Sequence, residues 1–342
     1  MSTETVEIVL PGIVDPEGLQ VTRRRLAAPG AGQVRVRMEA TGVSFAEQQM
    51  RRGKYYDQPA FPFVPGYDLV GVVTEVGEGV DRALLGGRFA ALTKTGGWAS
   101  ELLLDAADLI PVPDGIDPAD AETVLVNGIT AWQMLHRIAK IRAGQTILVL
   151  GANGGVGSTL VQLARNAGAT VIGTASARHQ DTVRSLGATP IDYRDPDLPA
   201  RVRELAPDGV DAVFDHVGGA GLADSYRLLA RGGTLVSYGS ASTKNDPGAS
   251  QLPVFKLLLR VTLWNLLPNG KGAHFYNFWA GRRFTRNAFR ARLREDLAQV
   301  LAQIQDGTLT PQVAARIPLQ EAAAALRLAE SGTVAGKVVL VP

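Results

Sequence analysis

The stretch Thr146-Ile147-Leu148-Val149-Leu150-Gly151-Ala152-Asn153-Gly154-Gly155-Val156-Gly157-Ser158-Thr159-Leu160-Val161-Gln162-Leu163-Ala164 decides the fold. It opens with a short apolar run of strand length and closes with apolar residues at helical spacing. Between them stand the glycines at 151, 154 and 157. A strand that passes through such a turn into a helix gathers backbone N–H groups and the positive end of the helix dipole at one point, which suits a phosphate. Gly151 allows the turn to be tight, Gly154 and Gly155 let backbone approach a pyrophosphate, and Gly157 lets helix and strand pack closely. A glycine-rich turn without a ligand is the plain alternative. The strand before and the helix after favour the phosphate.

Downstream, strands and helices alternate. Strand Thr170–Thr174 leads to a helix at Gln180–Leu186 and strands at Pro190–Tyr193 and Asp211–Phe214; helix Leu222–Leu229 and strand Thr234–Tyr238 follow. This rhythm makes parallel strands joined by crossover helices. Just upstream, Thr130–Lys140 reads as a helix. Before about residue 120 the texture changes. Strand-like runs at Glu7–Leu10, Gln33–Glu39, Leu69–Val76 and Phe89–Leu92 are separated by Gly- and Pro-containing turns, the pattern of a mostly antiparallel β domain. Pro111, Pro113 and Pro118 mark a boundary, set after residue 121. The expected class is α/β, a doubly wound parallel sheet with a β-rich companion. Val254–Leu267 is apolar with Lys256 and Arg260 four apart. It predicts a mostly buried helix with a narrow polar stripe, at a subunit contact; a lid or a membrane-surface element is the other reading. Asn287–Ile304 is a long helix and Lys337–Val341 a terminal strand.

In dinucleotide folds an Asp or Glu about 20 residues after the loop binds the ribose 2′-hydroxyl. Here that place reads Thr174-Ala175-Ser176-Ala177-Arg178, with no carboxylate. A hydroxyl and a guanidinium are donors for a 2′-phosphate, which Arg can hold bidentately. The cofactor predicted is therefore NADPH. Tyr193, ending the next strand, is suited to pack on the adenine or donate to the same phosphate. A solvated arginine and an ordinary strand-end aromatic are the plain alternatives.

At 342 residues the chain is long enough for two domains. Apolar residues make up 46% and charged residues 20%, a globular balance, and a net charge of +2 gives no general nucleic-acid surface. Cysteine is absent, which removes disulfides, thiolate nucleophiles and thiolate metal ligands together. His136, His179, His216 and His274 show no ligand spacing, so no metal site is expected. The opening residues carry no basic run followed by an apolar core, and Val254–Leu267 is too short to span a bilayer. A cytoplasmic protein without stable membrane insertion is expected.

Several pieces are modest singly and specific together. They are Val43-Ser44-Phe45-Ala46-Glu47, Arg51-Arg52-Gly53-Lys54-Tyr55, Pro65-Gly66-Tyr67-Asp68 with Val70-Gly71-Val72-Val73, and Asn127-Gly128-Ile129-Thr130-Ala131. The Gly151 loop, Asp215-His216-Val217-Gly218-Gly219 and Gly336-Lys337-Val338-Val339-Leu340 follow in order. Nearly end to end, the chain resembles the medium-chain dehydrogenase/reductase superfamily in its zinc-free quinone oxidoreductase branch, the zeta-crystallin-like proteins. The resemblance implies a Rossmann NADPH-binding domain over residues 122–282. It also implies a β-rich, GroES-like catalytic domain over 1–121, to which residues 283–342 return, with the active site in the cleft between the two. A homodimer is implied as well. Zinc members use a Cys/His/carboxylate set; here Gly66-Tyr67-Asp68 stands at the Gly-His-Glu position. Hydride donation to a small, already activated acceptor, a quinone or α,β-unsaturated carbonyl, is then implied, because conjugation supplies the electron sink.

By the same resemblance Tyr55 lines the substrate cleft, where it would donate a hydrogen bond or a proton to the acceptor oxygen. A tyrosine often present six residues earlier is Gln49, and the usual upstream Asn and Asp are Ser44 and Glu47, which leaves solvent as the alternative proton source. Asn127 and Thr130 match positions near the nicotinamide; locally both also suit helix capping. Val217 follows one strand and Gly239 and Ser240 another, at the carboxyl ends where ligands bind. His216, without a visible partner, reads as structural. Tyr276 and Phe278 belong to a loop whose backbone meets the nicotinamide carboxamide in relatives, or serve as wall or dimer packing. Lys337 reads as a surface lysine beside an edge strand, or as a phosphate contact. Two other functions fit the same residues: an enoyl-thioester reductase of a biosynthetic pathway, and a non-catalytic NADPH-binding sensor or structural protein.

Overall fold

The computed structural model describes residues 3–239 and 251–342. The chain divides into two compact units, Met1–Ile129 with Gly281–Pro342, and Thr130–Ala280. The first division falls within a helix, Pro118–Trp132.

In the first unit, β1 (Thr3–Val9) and β2 (Gln20–Leu26) pair antiparallel. In β3 (Gln33–Val43), Val34, Val36, Met38 and Ala40 alternate onto one buried face, as a period of two requires. Ser44 caps α1 (Phe45–Arg51) and forms a capping box with Glu47. Then come β4 (Asp68–Val76), β5 (Arg88–Leu92), β6 (Glu101–Asp105) and β7 (Ile110–Pro111). Helix α2 (Pro118–Trp132) starts where Asp117 Oδ1 accepts from the N–H of Ala119 at 2.9 Å and of Asp120 at 3.3 Å, with Pro118 where a missing N–H does no harm. The expected helix at Thr130–Lys140 is thus the end of a longer one. Beyond Trp132 it widens into a π-helical turn over Gln133–Ile138, where the Ala139 N–H reaches Met134 O at 2.9 Å.

The second unit alternates without a break. Its elements are β8 (Thr146–Val149), α3 (Gly155–Asn166), β9 (Thr170–Ala175), α4 (Gln180–Ser185), β10 (Thr189–Asp192), α5 (Leu198–Leu205), β11 (Val210–Asp215), α6 (Leu222–Arg227), β12 (Leu229–Ser237), α7 (Gln251–Asn265) and β13 (Gly272–Phe275). Six parallel strands lie in the order β10-β9-β8-β11-β12-β13. The chain steps outward from β8 in one direction and then from β11 in the other. That reversal is the topological switch point beside which such sheets bind ligands.

Helix α7 departs from expectation. Leu257, Val261 and Trp264 face the core, and Trp264 stacks on Tyr226 at 4.5 Å. Leu258, Leu259 and Leu263 are 43–54% exposed, and Leu266 (75%) and Leu267 (46%) are exposed just past the helix. The leucines are too densely spaced to share one face, so only the i, i+4, i+7 set can be buried by the sheet.

The chain returns to the first unit with α8 (Arg286–Gln305), β14 (Val313–Pro318), α9 (Ala322–Glu330) and β15 (Lys337–Val341). The sheet runs β14-β15-β3-β4-β5-β7, with β6 also on β3. Strand β15 is therefore interior, paired to β14 and β3, and not beside an edge.

Candidate active site

The Gly151 turn is built from both sides. Gly151 N–H donates to Thr174 Oγ1 at 3.0 Å, Ala152 N–H to Thr174 O at 2.8 Å, and Gly154 N–H to Gly151 O at 3.0 Å. Gly151 takes φ +66°, and a Cβ there would strike the His216 ring at 2.4 Å. A Cβ on Gly157 would lie 2.2 Å from Gly151 O. Asn153, Gly154, Gly155 and Val156 are half-buried along the open side of the turn. The N-cap of α3 is Gly154 and no side chain caps it, so the first-turn N–H groups are presented bare at the positive end of the dipole. This geometry suits a pyrophosphate.

At the end of β9, Ser176 is half-buried and makes no capping bond. Arg178 is exposed and forms no ion pair among the described residues. Tyr193 N–H donates to Ala175 O at 3.2 Å, which sets Tyr193 beside Ser176. Arg194, which no sequence motif marks, donates to the Tyr193 hydroxyl at 3.2 Å and lies 5.3 Å from its ring centroid. Two guanidiniums and two hydroxyls therefore stand on the chain segments ending β9 and β10.

Past β11, Asp215 is buried and organises the loop. Its Oδ1 accepts from the N–H groups of Val217 and Gly218, both at 2.8 Å, and its Oδ2 from Ser225 Oγ at 2.7 Å. The Val217 N–H is thus committed within the loop. His216 Nδ1 lies 3.1 Å from Leu150 O, and burial lowers its affinity for a proton. A neutral imidazole donating to Leu150 ties the loop to β8. Gly239 abuts this loop, since a Cβ there would meet His216 O at 2.6 Å. Ser240 lies outside the described residues. Tyr276 N–H donates to Ser237 O at 2.8 Å, and its hydroxyl turns inward to Gln133 Oε1 at 3.0 Å. Phe278 is half-buried against Trp279 at 5.2 Å.

Asn127 and Thr130 are interior to α2 and buried, so neither caps it. Asn127 Nδ2 donates to Thr123 O at 3.0 Å, one turn back.

In the first unit, Tyr55 and Tyr67 are both buried, and their hydroxyls meet at 2.9 Å. Burial, reinforced by the neighbouring phenols of Tyr67 and Tyr56, holds the Tyr55 hydroxyl well above the ordinary phenol range. Tyr55 is therefore a neutral donor at working pH. Tyr67 was legible only as the residue standing where a metal-binding histidine would be. Ser44 and Glu47 serve the helix: the Glu47 carboxyl is buried, accepts from the Ser44 N–H at 2.8 Å and bonds the Ser44 hydroxyl. Burial raises the Glu47 carboxyl above its usual range.

Neither expectation for Lys337 holds. It is buried, and its Nζ donates to Asp68 Oδ2 at 2.9 Å and Glu122 Oε1 at 2.5 Å. Gly42 makes the room, since a Cβ there would lie 2.1 Å from Lys337 Cε. Asp68 Oδ1 and Glu122 Oε2 have no hydrogen-bond partner among the described residues. Burial pushes Glu122 well above the carboxylate range against the pull of Lys337. Burial disfavours the Lys337 charge too, but Asp68 and Glu122 outweigh it and hold the proton more tightly than in water. No three His, Cys, Asp or Glu side chains group as a metal site among the described residues.

The comparisons with known proteins agree with this architecture. Residues 30–114 match the alcohol dehydrogenase GroES-like domain, and residues 186–340 match the zinc-binding dehydrogenase family. The chain is 33% identical over 320 residues to the synaptic vesicle membrane protein VAT-1 homolog of Rattus norvegicus, covering 92% of this chain and 78% of that one. It is 33% identical over 332 residues to a 2-haloacrylate reductase of a Burkholderia species, covering 93% of each. The structure of Escherichia coli quinone oxidoreductase complexed with NADPH superposes with a TM-score of 0.85 at 26% identity, over 98% of this chain and 100% of that one. With these relatives matching over most of their length and both units carrying the corresponding folds, the chain belongs to the medium-chain dehydrogenase/reductase superfamily, on the branch of its quinone oxidoreductases.

Proposed function

We propose that the chain is an NADPH-dependent reductase that acts, without a metal, on a quinone or an α,β-unsaturated carbonyl. The observation that carries this reading is the uncapped start of α3 together with the exposed Arg178 just past β9, which has no ion pair among the described residues. The backbone from Gly151 to Gly157 would hold the pyrophosphate, and Ser176, Arg178 and Tyr193 the 2′-phosphate. Val217, Gly239, Ser240, Tyr276 and Phe278, with Asn127 and Thr130, would bound the remainder of the cofactor. When bound, NADPH supplies a hydride. Tyr55 donates to the acceptor oxygen as charge builds there. The relative named 2-haloacrylate reductase supports a conjugated acceptor, since a 2-haloacrylate is an alkene conjugated to a carboxylate.

The acceptor class is decided by NADPH oxidation against quinones, enones and enoyl thioesters. Turnover with quinones or enones supports the proposal. Preference for enoyl thioesters would move it to biosynthetic reduction, and tight NADPH binding with no turnover would make the chain a binding protein. The 2′-phosphate assignment has its own test. Arg178→Ala removes a charge-assisted contact worth about 1.5–3 kcal/mol, so NADPH affinity should fall roughly 10- to 100-fold while NADH affinity changes little. An equal change for both nucleotides would remove Arg178 from the site.

The resemblance also implies two copies, and the exposed leucines of α7 offer a face for a second copy to bury. Sedimentation should give twice the chain mass, and Leu259→Lys with Leu263→Lys should give the single-chain mass. A single-chain mass for the unaltered protein would refute the dimer.

A further inference from the structure

We infer that Tyr67 is a positioning residue for the reaction, acting through Tyr55: its hydroxyl donates to the Tyr55 oxygen and leaves the Tyr55 proton directed at the acceptor. This inference rests on the reductase reading above.

The two phenols form a buried pair, with hydroxyls 2.9 Å apart and ring centroids 6.3 Å apart at an interplanar angle of 87°. A phenol has one proton to give. If Tyr67 gives its proton to Tyr55, the Tyr55 proton must point elsewhere.

The backbone shows which of the two is the fixed partner. Tyr67 O accepts from the N–H groups of Thr93 and Lys94, both at 3.0 Å. The preceding Gly66 takes φ +105° and is pressed so tightly on the Gly97–Trp98 backbone that a Cβ would lie 2.3 Å from Trp98 N. Tyr67 is thus locked at the start of β4. Tyr55 sits in the turn after α1, which is closed by Gly53 N–H to Met50 O at 3.0 Å and Lys54 N–H to Gln49 O at 2.9 Å. Its ring lies 4.7 Å from that of Tyr56. The phenol on the sheet therefore orients the phenol on the loop.

The proton balance gives the pair its chemical use. Once the acceptor has gained a hydride it is an anion with an electron pair to protonate. The Tyr55 O–H bond breaks, the acceptor gains the proton, and Tyr55 is left as a phenolate. A phenolate alone in a buried site is costly. The Tyr67 O–H already aimed at that oxygen meets the charge as it forms, with no reorganisation. A proton from water then restores Tyr55.

The test is a double-mutant cycle with Tyr55→Phe, Tyr67→Phe and both together. It reads kcat, KM and the solvent deuterium isotope effect with the best acceptor. Each change deletes one hydroxyl and keeps the ring. Tyr67→Phe should lower kcat about tenfold with little change in KM, and should enlarge the isotope effect as proton transfer becomes slower. In the Tyr55→Phe background it should add nothing. Wild-type kcat in Tyr67→Phe would overturn the inference. So would the same tenfold loss in both backgrounds, which would make Tyr67 independent of Tyr55. Failure of the reductase reading looks different: the unaltered protein turns over no acceptor, and both conclusions fall.

Discussion

Lys337→Met should destabilise the protein by about 3–5 kcal/mol, the usual consequence of removing one partner from a buried ion pair. Methionine keeps the length and the apolar stem but leaves Asp68 and Glu122 facing each other in the core without a cation. Neither carboxyl can relax outward, since both side chains are fully buried. The sign of the pH dependence follows from the direction of the shifts. Lys337 holds its proton above the ordinary lysine range, so its contribution is intact at neutral pH and is lost only as pH climbs through that range and beyond. Glu122 is raised in the folded state, so it favours folding at acid pH and loses that contribution as pH rises above the usual carboxylate range. Without Lys337 the Glu122 carboxyl must be kept protonated, which becomes harder as pH rises. Urea denaturation should therefore show a larger loss near pH 8 than near pH 5. A loss under 1 kcal/mol at both would mean that the network adds little.

Gly157→Val should abolish nucleotide binding and weaken the fold as well. Its Cβ would sit 2.2 Å from Gly151 O and 2.9 Å from Ala152 Cα, both backbone atoms that cannot swing aside. The turn must open, which scatters the N–H groups proposed to hold the pyrophosphate. We expect NADPH affinity to fall more than about 100-fold and stability by about 1–3 kcal/mol, the range for overpacking. Gly154→Ala is the matched control. Its Cβ would meet only Gly151 O, at an ordinary 3.4 Å, so the fold should be unaffected. Any loss of NADPH affinity there reports on the ligand side of the loop. Fluorescence titration with NADPH and thermal melts of both variants separate the two effects. Tight binding by Gly157→Val would contradict the assignment of the loop.

The cofactor half of this protein was readable because its chemistry is local. A strand, three glycines and a helix lie within one stretch, and the proposed 2′-phosphate donors follow the next strand. The catalytic half depends on residues that only folding brings together. Tyr67 was visible as a missing histidine but not as the partner of Tyr55, because the contact requires the turn after α1 to bend back onto the start of β4. Lys337 read as a surface lysine because nothing near it in sequence announces Asp68 or Glu122, which reach it from β4 and α2. Ser44 and Glu47 read as a weakened relay, although the Ser-x-x-Glu spacing before an apolar run is itself a capping signature. The π-helical turn at Gln133–Ile138 has no sequence mark. The leucines of α7 were expected inside on hydrophobicity alone, and the sheet accommodates only one face of the helix.

The decisive measurement is kcat/KM for NADPH and for NADH with the same quinone or enone acceptor. Turnover is expected with NADPH preferred by at least about tenfold, as one charge-assisted contact to a 2′-phosphate provides. Equal use of the two nucleotides, or no consumption of either by a protein that binds NADPH tightly, would contradict this expectation.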